Sequence, residues 1–406
     1  MKTLSKHIKR IFILTALSCA SVCIMPNIFY DVMPVCTASE VSVSDEERII
    51  QEMTDTFKIA DYHQKAKAGD VKAQLALAIC YHDGNGIEQD NEKAFYWLTK
   101  AANQGYAPAQ APLALCYQNG VGTKQDQEKA FYWWQKVAEQ GYAPAQGQLA
   151  LCYHNGIGTK QDHKKAFYWF QKAAKQGNVV AQNALASCYA KGIGIEQNNK
   201  KAVYWFTKAA EHGYAIAQYN LAFHYYQGAI IEKNEKQAIS WYQKAAEQGY
   251  VKAQYNLAIC YYEGIGTEKD EKQAVYWYTK AVDQGFATAQ NNLGVCYYNG
   301  YGVEQDYSKA FDLWQKSAYQ NIDRAQYHLG DCYMFGHGVD KDEAKAVEWY
   351  TKAAEQGDKD AQYALALCYQ NGTGIAKDEA QAKDWLTKAV EQGHEPAKEA
   401  LAKMNQ

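Results

Sequence analysis

The chain has 406 residues and a formal net charge of −3, with 21% charged and 48% hydrophobic residues. This length alone is typical of two or three ordinary domains, but a strict internal repeat from about residue 57 onwards excludes that organisation. Proteins that bind nucleic acid need a basic footprint. This chain is acidic overall, and only Arg48 and Arg324 are arginines beyond the first 38 residues, so nucleic acid is not an expected partner.

The first 38 residues lie outside the repeat. Basic residues precede an apolar run over 11–24, and small residues stand at 36–38. This pattern predicts a signal peptide over 1–38, cleaved after Ala38, and therefore export to the periplasm or beyond. The apolar run is short for a membrane span of about 20 residues. The alternative is an uncleaved leader that anchors the chain in a membrane. Residues 39–56 are polar and acidic, and are predicted to form a short tether.

An Ala-Gln pair recurs every 36 residues without insertion or deletion, beginning at Ala73-Gln74 and ending at Ala361-Gln362. A fixed period in this range indicates stacked supersecondary units. The predicted domain spans 57–406 and begins and ends with a half repeat, 57–69 and 394–406. Between them we place nine full repeats: 70–105, 106–141, 142–177, 178–213, 214–249, 250–285, 286–321, 322–357 and 358–393.

Each repeat predicts two helices, A and B, shown here for repeat six. Apolar residues at helical spacing predict helix A over 250–263. Gly264 ends that helix, because glycine readily adopts the left-handed conformation of a helix C-terminus. Asp270 stands where helix B begins, and its carboxylate can accept a bond from the free amides of the first turn. Gly285 ends helix B, and the next repeat follows.

Two packing expectations follow from the repeat. The tryptophan column of helix B is expected to fill the space between helices; its members are Trp97, Trp133, Trp169, Trp205, Trp241, Trp277, Trp349 and Trp385, with a slip to Trp314 in repeat seven. In repeat two, Pro108 and Pro112 fall near the start of helix A. Proline is tolerated only in the first turn, so this helix is expected to start late or fray.

The repeat resembles a known family. The pattern Ala-Gln-x-x-Leu-Gly/Ala-x-x-Tyr-x-x-Gly-x-Gly, followed by Asp-x-x-x-Ala-x-x-Trp-x-x-Lys-Ala-Ala-x-Gln-Gly, is similar to the Sel-one-like repeat, a relative of the tetratricopeptide repeat. The resemblance covers about 350 of the 406 residues. It implies an all-α fold: an α/α solenoid, wound as a right-handed superhelix, whose A helices line the concave surface. A solenoid of this kind serves many functions.

Eight cysteines occupy one slot of helix A: Cys80, Cys116, Cys152, Cys188, Cys260, Cys296, Cys332 and Cys368. One interpretation is a metal or redox array. Equivalent residues of packed helices lie about 8–10 Å apart, whereas a disulfide needs Cα atoms within about 7 Å. Buried thiols are therefore the preferred interpretation. Some secreted members of the family carry two cysteines per repeat and bridge them, a pattern that this chain departs from.

The catalytic motifs that we considered are missing. The sequence contains no Gly-x-x-x-x-Gly-Lys-Ser/Thr loop, no His-Glu-x-x-His and no Ser-x-x-Lys. We therefore assign no catalytic residue, no cofactor and no metal ligand, and expect a non-enzymatic protein. The alternative function is that of a secreted hydrolase, or of a binder of cell-wall fragments or β-lactam-like molecules, as attributed to secreted relatives.

Variable positions of helix A suggest where a partner binds. The Leu257 and Tyr261 columns are invariant across the nine repeats, whereas the positions equivalent to 255, 256 and 262 vary. In repeats five to eight these positions are rich in tyrosine and asparagine, which can cover side chains and pair with the backbone of an extended peptide. The candidate groove residues are Tyr219, Asn220, Tyr226, Tyr255, Asn256, Tyr262, Asn292, Tyr298 and Tyr327.

The same residues also have a structural interpretation, in which the tyrosines pack against the next helix and the asparagines are solvated. We favour an exported scaffold that binds a protein or an extended peptide through its concave groove. A further alternative is an adaptor tethered to a membrane by its uncleaved leader; no other membrane contact is expected.

Overall fold

The computed structural model describes residues 58–405, so the predicted leader and tether lie outside the described residues. This part of the chain consists of helices joined by short turns, without a strand. It divides into two compact units, and the boundary along the chain falls between Tyr214 and Ala215. The helices of the first unit are α1 (58–67), α2 (Val71–Asp83), α3 (Asn91–Asn103), α4 (Ala107–Asn119), α5 (Gln127–Glu139), α6 (Ala143–Asn155), α7 (His163–Lys175), α8 (Val179–Lys191) and α9 (Asn199–Glu211).

The second unit contains α10 (Ala215–Gln227), α11 (Glu235–Glu247), α12 (Val251–Glu263), α13 (Glu271–Asp283), α14 (Ala287–Asn299), α15 (Tyr307–Tyr319), α16 (Asp323–Phe335), α17 (Glu343–Glu355), α18 (Lys359–Asn371), α19 (Glu379–Glu391) and α20 (Glu395–Met404). Within each unit, helix A packs against helix B of its own repeat, and helix B packs against helix A of the next. The predicted α/α solenoid is confirmed. Over the described residues, no helix combines the length and apolar character that crossing a bilayer requires.

Glycine residues end the A helices and capping residues begin the B helices, as predicted. Gly264 follows α12 with φ of 74°, and its amide donates to the carbonyl of Cys260. Asp270 precedes α13 and accepts a bond of 3.0 Å from the amide of Gln273. These contacts satisfy backbone groups that every helix terminus leaves open.

The second glycine of each Gly-x-Gly turn has a packing role. A Cβ atom built on Gly158 would lie 2.0 Å from the carbonyl oxygen of Gln127, the first residue of α5. The turn of repeat three therefore rests directly on the start of helix B in repeat two. Only glycine permits so close an approach of two backbones.

The interior is built from a leucine column and an aromatic column. Leu257 and its equivalents are at most 3% exposed. The tryptophan expectation is met only in part: Trp97 and Trp349 are buried, whereas Trp133 and Trp277 are half-buried residues that pack against the core. The following residue of helix B fills the interior instead, as Trp134 and Tyr278 show. The two positions are about 100° apart on a helix, and the tilt of helix B against its neighbours decides which one faces inwards.

The same geometry explains the tryptophan slip in repeat seven. Trp314 occupies the inner position and is 2% exposed. Its indole lies so close to Gly294 of α14 that a Cβ there would be 2.6 Å from Nε1. The other repeats carry alanine at this position, except for Gly330 in repeat eight, which faces Tyr350 in the same way. These two glycines leave room for the ring that faces them, whereas repeat two has a tryptophan at the inner position, Trp134, together with alanine, Ala114.

The Ala-Gln pair that marks the repeat joins three helices. In repeat six, Gln254 is 5% exposed, and its Nε2 donates to the carbonyl of Ala246 at the end of α11. Its Oε1 accepts a bond of 2.8 Å from Nε2 of Gln284, just after α13. A buried amide that is bonded on both sides holds helix A to two B helices at once.

The expectation for repeat two is wrong. Helix α4 begins at Ala107, at the same repeat position as its equivalents, and Pro112 lies buried inside it. An internal proline removes one backbone bond and costs about 3 kcal/mol. The helix keeps its bounds because Leu113 and Ala114 are fully buried on the same element.

The cysteine slot faces the interior. The thiols at 116, 152, 188, 260, 296, 332 and 368 are buried and unbridged within the described residues, and Cys80 is half-buried. Burial raises the pKa of Cys260 to about 12, so the thiol stays protonated at neutral pH. Over this part of the chain, no cluster of ligating side chains suits a metal ion.

Candidate partner-binding surface

The predicted groove residues all lie in the second unit, on four successive A helices: α10, α12, α14 and α16. Each of these side chains is partly exposed. They form two groups on the A helices. Tyr219, Tyr255 and Tyr327 stand in the first turns of helix A, beside the asparagines. The second group lies seven residues after the position of Tyr219 and Tyr255, about 10 Å further along helix A. Its members are Tyr226, Tyr262 and Tyr298.

The first group seals the contact between repeats. The ring of Tyr219 lies 5.2 Å from that of Tyr250 and 5.7 Å from that of Tyr242. Tyr255 repeats this arrangement with Phe286 at 5.3 Å and Tyr278 at 6.0 Å. Burial raises the pKa of the Tyr219 and Tyr255 hydroxyls. One edge of each of these two rings therefore packs against aromatic residues of the same or the next repeat.

The asparagines join this packing by hydrogen bonds. Nδ2 of Asn256 donates to the hydroxyl of Tyr242 at 3.3 Å. Nδ2 of Asn292 likewise donates to Tyr278 at 3.3 Å and lies 3.5 Å from the Tyr255 hydroxyl. An amide carries two N–H donors and an acceptor oxygen. Each asparagine thus has an internal bond and retains further bonding capacity toward a partner.

The second group lies beside the turns between helices A and B. The ring of Tyr262 is 6.0 Å from that of Tyr301 in the next turn, and the ammonium of Lys269 lies 5.4 Å from its centroid. The hydroxyl of Tyr298 lies 3.0 Å from Nδ1 of His337. Tyr301 is 36% exposed. These rings form a half-exposed aromatic surface along repeats six to eight.

Sequence analysis missed a charged cluster beside Tyr327. Arg324 stacks on Tyr327, 4.9 Å from the ring centroid, and bonds Asp358 and Asp360 of the next repeat. Asp360 also accepts a bond from Nε2 of His394, whose Nδ1 caps α20. The partners are 34 to 36 residues apart. Oppositely charged residues about one repeat apart were the feature of the sequence that could have predicted this cluster.

Two titratable groups lie behind this cluster. Burial, together with the charge of Arg324, lowers the pKa of His328 to about 3, and the ring stacks on Trp314 at 4.6 Å. Burial also raises the pKa of Asp331, which accepts a bond of 2.6 Å from the hydroxyl of Tyr350. His328 occupies the position of Asn256 and Asn292, so the asparagine column is interrupted here.

The hydrolase alternative predicts convergent carboxylates in a pocket. A shallow depression beside the turn of repeat seven is lined in part by Asp270, Glu271 and Glu304. Asp270 caps α13, and Glu271 forms an ion pair of 2.9 Å with Lys269. Two of these carboxylates thus have structural roles.

The fold and the internal bonding define a helical-repeat protein whose exposed side chains vary on a constant framework. A profile of the Sel1 repeat matches nine consecutive segments: 71–106, 107–142, 143–178, 179–214, 215–250, 251–286, 287–322, 323–358 and 359–394. The chain therefore belongs to the Sel1 repeat family. Proteins of this family are generally scaffolds for protein interaction.

Two solved structures are similar over most of the chain. One is a protective antigen of uropathogenic Escherichia coli that displays an SLR fold; it is 34% identical, with 85% of this chain and 82% of that chain covered and a TM-score of 0.65. The other is a Sel1 repeat protein from Oxalobacter formigenes, 32% identical, with coverage of 82% and 98% and a TM-score of 0.62. Among curated proteins, none matches the chain.

Proposed function

We propose that the protein is an exported scaffold that binds another protein, or an extended segment of one, through the A helices of repeats five to eight. Two features support this role: the family's general use as an interaction scaffold and the concentration of aromatic residues on one set of positions. Export rests on the basic and apolar pattern of residues 1–38.

The aromatic surface of the second group carries the proposal. At the position of Tyr262, repeats five to seven have tyrosine, whereas repeats one to four have His82, Gln118, His154 and Ala190. The framework therefore folds without an aromatic residue here. Rigid aromatic residues are enriched in interaction surfaces because they bury a large area at a small loss of conformational entropy. The asparagines would add hydrogen bonds to the partner's backbone.

The chain itself supplies mild substitutions for a test. Repeats two and nine carry glutamine at this position, as Gln118 and Gln370. A triple variant, Tyr226→Gln, Tyr262→Gln and Tyr298→Gln, should keep the helical fold and lose partners that the parent chain captures from an extract of its source. A matched control replaces three exposed tyrosines of helix B, Tyr96, Tyr132 and Tyr276, with glutamine.

The expected result is capture by the parent chain and the control, and loss with the triple variant, at equal circular dichroism. Equal capture by all three chains would refute the assigned surface, and capture by none would refute protein binding. The export proposal has a separate test. The intact mass of the exported chain should equal that of residues 39–406 if the leader is cleaved after Ala38.

A further inference from the structure

The first unit carries a concentration of positive charge that the net charge of the chain conceals. Repeats three and four, residues 142–213, contain nine lysines and three acidic residues, a net charge of +6. By the same count, repeats one and two total −2, and repeats five to nine total −7. The excess is therefore confined to two adjacent repeats.

The lysines form a regular surface on two B helices. On α7, Lys164, Lys172 and Lys175 are exposed, at spacings that place them on one side of a helix. On α9, Lys200 and Lys208 occupy the positions equivalent to Lys164 and Lys172; Lys200 is exposed and Lys208 is half-buried. Helix α8 packs against both α7 and α9, so the two B helices flank the same A helix. We call these five lysines, with the tyrosine between them on each helix, the lysine–tyrosine surface.

Both tyrosines of this surface are exposed, as are Tyr96 and Tyr132 at the equivalent position of repeats one and two. Tyr168 is 48% exposed and Tyr204 is 53% exposed. The ammonium of Lys172 lies 4.7 Å from the centroid of Tyr168, and that of Lys208 lies 5.4 Å from the centroid of Tyr204. A second lysine precedes each tyrosine by four residues on the same helix, Lys164 on α7 and Lys200 on α9, and a third, Lys175, follows on α7.

A change of cap adds to the charge. Lys129 and Lys165 pair with the cap residues Asp126 and Asp162 of their own helices, at 3.0 and 3.7 Å. In repeat four the cap is Asn198, which accepts the same backbone bond but carries no charge. The repeat thus keeps its helix cap and loses a carboxylate that would offset its lysines.

We propose that the lysine–tyrosine surface binds the anionic surface of a lipid bilayer. Lysines attract a negatively charged membrane through diffuse electrostatics. Tyrosine is enriched where apolar and polar layers of a membrane meet, because its ring has an apolar body and a polar tip. Phosphate recognition in nucleic acids favours the planar fork of arginine, and residues 142–213 contain no arginine. The surface is thus suited to a charged plane rather than to a specific phosphate.

This contact is independent of the groove proposed for the second unit and of any leader anchor. It would hold the first unit at a membrane while the second unit binds its partner. Attraction of this kind weakens within a Debye length of about 8 Å at physiological salt, so the contact would be reversible and sensitive to ionic strength.

The test is sedimentation of the full chain with two kinds of vesicle. One contains phosphatidylcholine alone, and the other also contains about 30% of the anionic lipid phosphatidylglycerol. A patch variant carries Lys164→Glu, Lys172→Glu, Lys175→Glu and Lys200→Glu. A control variant carries four exposed lysines of the second unit changed in the same way, at positions 236, 272, 280 and 352. Both variants have the same net charge.

The expected result is binding to the anionic vesicles only, weakened by salt and retained by the control variant. The patch variant should bind at least about 600-fold less, since each of its four lysines contributes on the order of fivefold near the surface. A second variant carries Tyr168→Ser and Tyr204→Ser. Serine is chosen because repeat five has serine, Ser240, at the equivalent position. It keeps the charge and should bind several-fold less, by loss of interfacial contact.

Four outcomes would overturn the proposal. Equal losses in the patch and control variants would show that net charge alone acts. Absence of binding by the parent chain would exclude a lipid surface. Capture of an acidic protein or a nucleic acid by the same lysines, without vesicle binding, would assign the surface to another partner. Binding that resists salt in the parent chain and vanishes in the patch variant would refute the diffuse mechanism.

Discussion

Repeat four contains a defect that a single substitution should repair. In the other eight repeats a glutamine after helix B donates to the buried glutamine of helix A, at 2.7 to 2.9 Å. In repeat four the donor position is His212, whose ring bonds the carbonyl of Lys208 in its own helix. Oε1 of Gln182 is left buried without a hydrogen-bond partner among the described residues.

The variant His212→Gln should restore the bond and raise the free energy of unfolding of the first unit. A net gain of about 1 kcal/mol is expected for one intramolecular hydrogen bond, because a buried unsatisfied acceptor costs about 1–3 kcal/mol and the new bond removes that penalty. His212 itself is exposed, so its removal sacrifices little packing. Urea unfolding followed by circular dichroism measures the gain. Hydrogen exchange should locate it in repeat four, since repeat proteins open locally.

Three controls separate the bond from other effects. His212→Ala removes the histidine without adding a donor and should give no gain. His212→Gln in a Gln182→Ala background should also give none, because the acceptor is absent. Gln140→His in repeat two should create the same defect and cost about 1 kcal/mol. A gain from His212→Ala equal to that from His212→Gln would refute the hydrogen-bond explanation, as would no gain from either.

Three further predictions concern packing, pH and thiol reactivity. Gly294→Ala should lower the free energy of unfolding by about 1–3 kcal/mol, because its Cβ would press on Trp314; Gly147→Ala, with no neighbour closer than 3.8 Å, should raise it by about 0.5–1 kcal/mol in the same urea titration. Because burial lowers the pKa of His328 from 6.5 to about 3, the stability present above pH 6.5 should fall by about 2 kcal/mol between pH 7.5 and pH 5. His328→Asn should reduce that loss, and an unchanged pH profile would contradict the assignment. Cys260 should resist iodoacetamide at pH 8 in the native protein and react in urea, as mass spectrometry would show.

The local features of the repeat were predictable from sequence because they depend on residues close along the chain. Gly264 and Asp270 end and begin their helices through backbone conformation and short-range hydrogen bonds. The 36-residue period indicated stacked helical pairs for the same reason. Prediction failed at Pro112, where a local preference was overridden by burial of its neighbours.

Parts of the candidate site were predictable only as a pattern. The sequence brought Tyr255 and Tyr262 together as variable positions of helix A, but it did not show that the first packs between repeats and the second lies beside a turn. Asn292 was expected to face a partner, and the structure also gives it an internal bond to Tyr278. These distinctions depend on how one repeat is placed on the next.

The sequence by itself determined the family, the number of repeats and the residues that end and cap most helices, because a period of 36 residues repeats the same local chemistry. Only the tertiary structure decided which side of helix B faces inwards, since Trp277 and Tyr278 are both large aromatic residues and are adjacent on the helix. It also decided the role of the Ala-Gln pair, because Gln254 bonds Gln284 across 30 residues. Contacts between residues so far apart in sequence depend on the packing angle between helices, which a short sequence pattern does not predict.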